Sequence, residues 1–146
     1  MLRQRRQAMD FTRRETMAIT AGAVALTVLP FRANAAVDDA INAFTGGADV
    51  ADGGVELDAP EIAENGNTVP ISVSAEGASA IMVLAAGNPT PGVATFKFGD
   101  LAGSQYASTR IRLAGTQDVI AVAQMADGSF ARTSKEVKVT IGGCGG

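Results

Sequence analysis

Histidine and tryptophan are absent from this chain, and cysteine occurs once, at Cys144, among 146 residues. With no histidine and one thiol, no cysteine/histidine metal site can assemble within a single chain. Cys–His and Ser–His nucleophile arrangements are excluded for the same reason. No internal disulfide can form. Aromatic residues are scarce, 5% against 47% hydrophobic overall, so Ala, Val and Ile must fill the core. The apolar run from Met17 to Phe31 is fifteen residues diluted by Thr20, Gly22 and Thr27. It falls short of the roughly twenty residues that span a bilayer. No glycine-rich phosphate loop leads into a helix, because the glycines around Cys144 follow a strand pattern.

The start of the chain is compositionally separate. Arg3, Arg5, Arg6, Arg13 and Arg14 precede the apolar run, and Ala33-Asn34-Ala35 then gives a small-residue cleavage pattern. That layout reads as a signal peptide over residues 1–35. Thr12-Arg13-Arg14-Glu15 resembles a twin-arginine export signal, with Arg13 and Arg14 as its pair. Weak hydrophobicity and Arg32 beside the cleavage site favour that route. Thr16 and Met17 stand where Phe and Leu are usual, so a general secretory signal is the alternative. A membrane anchor is the disfavoured reading. The chain is therefore expected to be exported. Residues 36–146 carry 6 Lys+Arg against 13 Asp+Glu, a net of −7, which repels nucleic acid and anionic lipid.

Beyond the leader, Val37, Ile41 and Phe44 fall at i, i+4 and i+7, predicting a short helix over 36–47 with Asp38 and Asp39 in its first turn. Gly46-Gly47 ends it. The pattern then changes to period two. Strands are expected at Val55–Leu57, Thr68–Ser74, Ile81–Ala85, Thr95–Phe98, Ser108–Leu113, Val119–Met125, Phe130–Thr133 and Glu136–Ile141. Asn65-Gly66, Glu76-Gly77, Gly87-Asn88-Pro89-Thr90-Pro91-Gly92 and Asp127-Gly128 supply turn chemistry between them. Short strands at this spacing over 48–141 predict an immunoglobulin-like antiparallel β-sandwich, with a small barrel as the alternative. Arg110 and Arg112 lie on the alternate face of a strand and read as a solvated face. Asn88-Pro89-Thr90-Pro91 reads as a rigid surface loop.

Gly142-Gly143-Cys144-Gly145-Gly146 follows the last strand. Glycine has no side chain to bury and the greatest backbone freedom, so Cys144 is expected on a thin, flexible arm over 142–146. No Lys, Arg or His lies within five residues of it. Its thiol is therefore expected near the ordinary pKa of roughly 8.5. A lone cysteine in an exported protein is a free reactive thiol or an intermolecular link. Two further readings fit less well. Prenylation needs the cysteine fourth from the end. A ubiquitin-like sulfur carrier would use Gly145-Gly146 but needs ATP and leaves Cys144 without a role. What remains is a covalent carrier, or else an exported structural or adhesion sandwich crosslinked through Cys144.

Val139-Thr140-Ile141-Gly142-Gly143-Cys144-Gly145-Gly146 resembles the end of the SoxY family. So do Ala59-Pro60-Glu61-Ile62-Ala63-Glu64-Asn65-Gly66, Val69-Pro70-Ile71 and Ser108-Thr109-Arg110-Ile111-Arg112-Leu113. The resemblance implies a non-catalytic sulfur carrier in periplasmic thiosulfate oxidation, with no cofactor or metal of its own. It implies Cys144 as the attachment point and Gly142, Gly143, Gly145 and Gly146 as the arm. It also implies a SoxZ partner, with transient docking to SoxXA, SoxB and, where one is present, a sulfur dehydrogenase.

Overall fold

A computed structural model describes residues 31–140, and for residues 31–34 the backbone alone. One helix, α1 (Phe31–Thr45), precedes nine strands. They are β1 (Val50–Asp52), β2 (Glu56–Asp58), β3 (Ile62–Ala63), β4 (Val69–Ser74), β5 (Ala78–Ala85), β6 (Gly92–Lys97), β7 (Tyr106–Ile111), β8 (Gln117–Met125) and β9 (Phe130–Val139). The larger sheet runs β1-β9-β8-β5-β6, with β3 also paired to β9, and the smaller runs β2-β4-β7. The expected two-sheet sandwich with a short N-terminal helix is what forms. Its long ladders are antiparallel, while β1 and β3 join β9 in parallel.

Strict alternation explains the layers. Val69, Ile71 and Val73 on β4 turn inward and are 0%, 3% and 1% exposed, while Pro70 between them faces out. Opposite them lie Ile81, Val83 and Ala85 of β5 with Val119, Ala121 and Ala123 of β8. The intervening Met82, Leu84 and Val122 form a second cluster with Val37 and Ile41 of α1. The large sheet is thus covered on both faces, which is why β5 reads as a continuous apolar run. Phe44 extends the helix stripe and meets Phe130 edge-on at 5.9 Å.

Several elements differ from expectation. The helix begins at Phe31, so Asp38 and Asp39 sit mid-helix rather than in its first turn. Gly46 and Gly47 do end it, at φ 66° and 83°, a region other residues rarely adopt. Phe130–Thr133 and Glu136–Ile141 belong to one strand through Val139, because Ser134 and Lys135 stay paired with Ile120 and Val119 of β8. Backbone pairing carries the strand where its side chains are polar. Glu76-Gly77 does form a turn, with Gly77 at φ 76°, and because β4 and β5 belong to different sheets this corner passes between them. Asp127-Gly128 does close the β8–β9 hairpin. There Asp127 Oδ1 accepts from Ser129 Oγ at 2.6 Å and from Ser129 N at 2.9 Å, which holds its carboxyl below the usual carboxylate range.

Candidate functional site

Cys144, its neighbours Gly142, Gly143, Gly145 and Gly146, and the leader pair Arg13 and Arg14 lie outside the described residues. What is described is the base from which the arm departs. That base is the end of β9, and its two flanks fix it in different ways.

On one flank, β3 runs parallel to β9 with Ile62 opposite Lys138 and Ala63 opposite Val139. Lys138 N donates to Glu61 O at 2.9 Å, and Thr140 N donates to Ala63 O at 3.0 Å. On the other flank, Val139 N donates to Thr116 Oγ1 at 3.0 Å. Successive backbone donors at the strand end are therefore satisfied alternately from left and right. These bonds, formed at a largely exposed edge, hold the last described residues against both flanks.

Gly66 closes the base. Its carbonyl accepts from Leu113 N at 2.7 Å. A Cβ at Gly66 would lie 2.6 Å from Leu113 O and 2.9 Å from Val139 Cγ1. The glycine is required here by close approach, not by a left-handed turn. The segments around Gly66, Leu113 and Val139, far apart in sequence, thus meet at one end of the sandwich.

A side-chain network extends this end to the β5–β6 loop. Gln117, 8% exposed, accepts from Gly87 N at 2.7 Å. Its Nε2 donates to Asn88 Oδ1 at 3.0 Å and Gly115 O at 3.1 Å. Asn88 Nδ2 donates to Arg112 O at 2.8 Å, and Asn88 Oδ1 accepts from Ala114 N at 2.9 Å. Asn88, Pro89, Thr90, Arg112 and Ala114 line a hollow of about 390 Å³ beside it. The rigid loop and one of the two arginines noted in the sequence are brought together here. Asn88, Thr116 and Gln117 were not singled out as organisers, because their partners are 23 to 30 residues away.

The largest hollow described, about 620 Å³, is at the opposite end of the sandwich, between Gly54–Glu56, Ser74–Glu76 and Gly103–Tyr106. Among the described residues no cluster of three or more His, Cys, Asp or Glu side chains is placed to hold a metal ion. Among them, too, no helix is long and apolar enough to cross a membrane. The described base is a set of hydrogen bonds around the end of β9. It positions a chain end.

The sequence model for the family described as "Sulfur oxidation protein SoxY" matches residues 41–144, which include Cys144. The structure of the sulfur carrier protein SoxY from Chlorobium limicola f thiosulfatophilum is similar at 34% identity and a TM-score of 0.66, covering 73% of this chain and 94% of that one. A superoxide reductase (neelaredoxin) from Ignicoccus hospitalis has a TM-score of 0.53 at 15% identity, covering 60% of this chain and 81% of that one. That likeness concerns the fold alone. No curated protein sequence matches the chain.

Proposed function

The chain belongs to the SoxY family of sulfur oxidation proteins, and on that premise we propose that Cys144 is the thiol on which it carries sulfur. It is a sulfur carrier in thiosulfate oxidation. One observation carries the assignment of the site: the family match runs through Cys144, the only cysteine in the chain. The base of β9 supports it. A tether rooted by hydrogen bonds on both flanks has a fixed origin, and glycines beyond that origin keep it narrow enough for another protein's channel.

The chemistry asks little of the carrier itself. Oxidative joining of the Cys144 thiolate to thiosulfate removes two electrons, taken by the haem partner SoxXA, and forms an S–S bond bearing a terminal sulfonate. Hydrolysis of the outer S–S bond by SoxB consumes water, releases sulfate and leaves a persulfide, a reversible state of an exposed thiol. Neither step draws on a base or metal of this chain. Its role is a non-catalytic one, with SoxZ as standing partner and the periplasm as its location.

Cys144→Ser should abolish thiosulfate-dependent respiration while leaving the folded sandwich intact by circular dichroism. Mass spectrometry of the wild-type protein from cells grown on thiosulfate should show sulfur adducts at Cys144. A serine variant that still oxidises thiosulfate would overturn the assignment.

A further inference from the structure

We propose that Asn65 is a self-modification site: Gly66 N attacks the Asn65 side-chain amide, and the aspartate or isoaspartate that results loosens the root of the C-terminal arm. The modification itself needs only the described residues and water. Its effect on turnover rests on the carrier reading above.

The bonds balance without any oxidant or reductant. The Gly66 nitrogen bonds to Asn65 Cγ while the Cγ–Nδ2 bond breaks, and the Gly66 proton leaves with the amide nitrogen as ammonia. Water then opens the resulting succinimide at either carbonyl. One opening gives aspartate. The other gives isoaspartate, which adds a methylene to the main chain.

The fold treats its Asn-Gly and Asp-Gly pairs differently. Gly53 N donates to Arg132 O at 2.8 Å and Gly128 N donates to Met125 O at 3.0 Å, so neither nitrogen is free to attack. Asp127 is further disarmed, because bonds from Ser129 keep its carboxyl ionised, the form without a good leaving group. Gly66 is the contrast. Its carbonyl accepts from Leu113 N, but its own N–H has no acceptor among the described residues. Asn65 is exposed, so water reaches it. Its Oδ1 accepts from Asn67 N at 3.0 Å. That bond turns the side chain along the following backbone. It also sets a donor on the oxygen that gains negative charge during attack. Glycine at the attacking position has no Cβ to obstruct the approach.

Location gives the modification its consequence. Ala63 O accepts from Thr140 N at 3.0 Å on one side of Asn65, and Val69 of β4 is fully buried on the other. Between these fixed points Gly66 packs so closely that a Cβ would lie 2.6 Å from Leu113 O. A longer main chain has no slack to enter there, so the turn must shift away from Leu113 and Val139. Both products also add a carboxylate next to Glu64, in a segment, 36–146, already at −7.

The test incubates the purified full chain at mildly alkaline pH, where the Gly66 nitrogen loses its proton more readily. Proteolysis after glutamate releases residues 65–76, which hold Asn65 and Asn67 together. Mass spectrometry should find the amide-to-acid exchange at Asn65, in two chromatographically distinct products, with Asn67 unchanged. Amide hydrogen exchange should rise at Leu113 and Thr140 in the isoaspartate fraction. Asn65→Asp, which has the charge without the methylene, should show a smaller rise. Aged wild-type protein should lose thiosulfate turnover in step with conversion. Aged Asn65→Gln, whose longer side chain closes a ring far more slowly, should keep it. An unmodified Asn65, equal conversion of Asn67, unchanged exchange at Leu113 and Thr140, or turnover that survives full conversion would overturn the proposal. The mass and exchange measurements involve no sulfur chemistry. Their failure therefore stays separate from failure of the carrier reading, which is decided by Cys144→Ser in cells.

Discussion

A methyl group at Gly66 would stand 2.6 Å from the Leu113 carbonyl oxygen, a backbone atom that cannot swing aside. Gly66→Ala should therefore force apart the segments that root the arm, at a cost of about 1–3 kcal/mol. Gly99 is a fitting control, since a Cβ there meets nothing within 4 Å and its φ lies outside the left-handed range. Urea unfolding should show a lower midpoint for Gly66→Ala and none of comparable size for Gly99→Ala. Equal midpoints would mean that the β9 end absorbs the methyl group by shifting. The sequence marks Asn65-Gly66 as a turn but not as a contact, because its neighbours Leu113 and Val139 are 47 and 73 positions away. The lone thiol was visible at once, since nothing about a single cysteine between glycines depends on tertiary structure.

Helix α1 covers the large sheet through Val37 and Ile41, 6% and 8% exposed, against Met82, Leu84 and Val122. Ile41→Ala should cost about 2 kcal/mol, the low end for such truncations at a covered surface. It should also raise hydrogen exchange in α1 more than in β4, which faces the other core. Uniform exchange across both would show that helix and sandwich unfold as one unit. The stripe was legible because its period is local. The helix start was not, since an opening turn with no acidic residue, and with Arg32 in it, offers no capping signal. Two short parallel strands, β1 and β3, escaped notice for a related reason. Three residues and two residues hold no period, and their pairing is set by β9, far along the chain.

At the scale of the molecule, the two ends of the sandwich are unlike. One gathers the arm base, the Asn88–Gln117 network and Arg112; the other carries the larger hollow around Tyr106. The layered architecture was readable from alternation, but which loops share an end follows from strand order, which no local pattern encodes. A carrier that folds before export would suit a twin-arginine route and could take SoxZ with it. Blocking the twin-arginine translocase should then leave both proteins in the cytoplasm on cell fractionation. Continued arrival of both in the periplasm would return the leader to the general secretory reading.

The placement of β9 has a mechanical consequence. A partner that grips the tail pulls along the axis of a strand paired over eight positions with β8, and with β1 and β3 on its other side. Tension in that direction loads the flanking ladders together, in shear, instead of peeling them one bond at a time. On the carrier reading proposed above, a tether drawn taut inside another protein would load those ladders before the sandwich began to open.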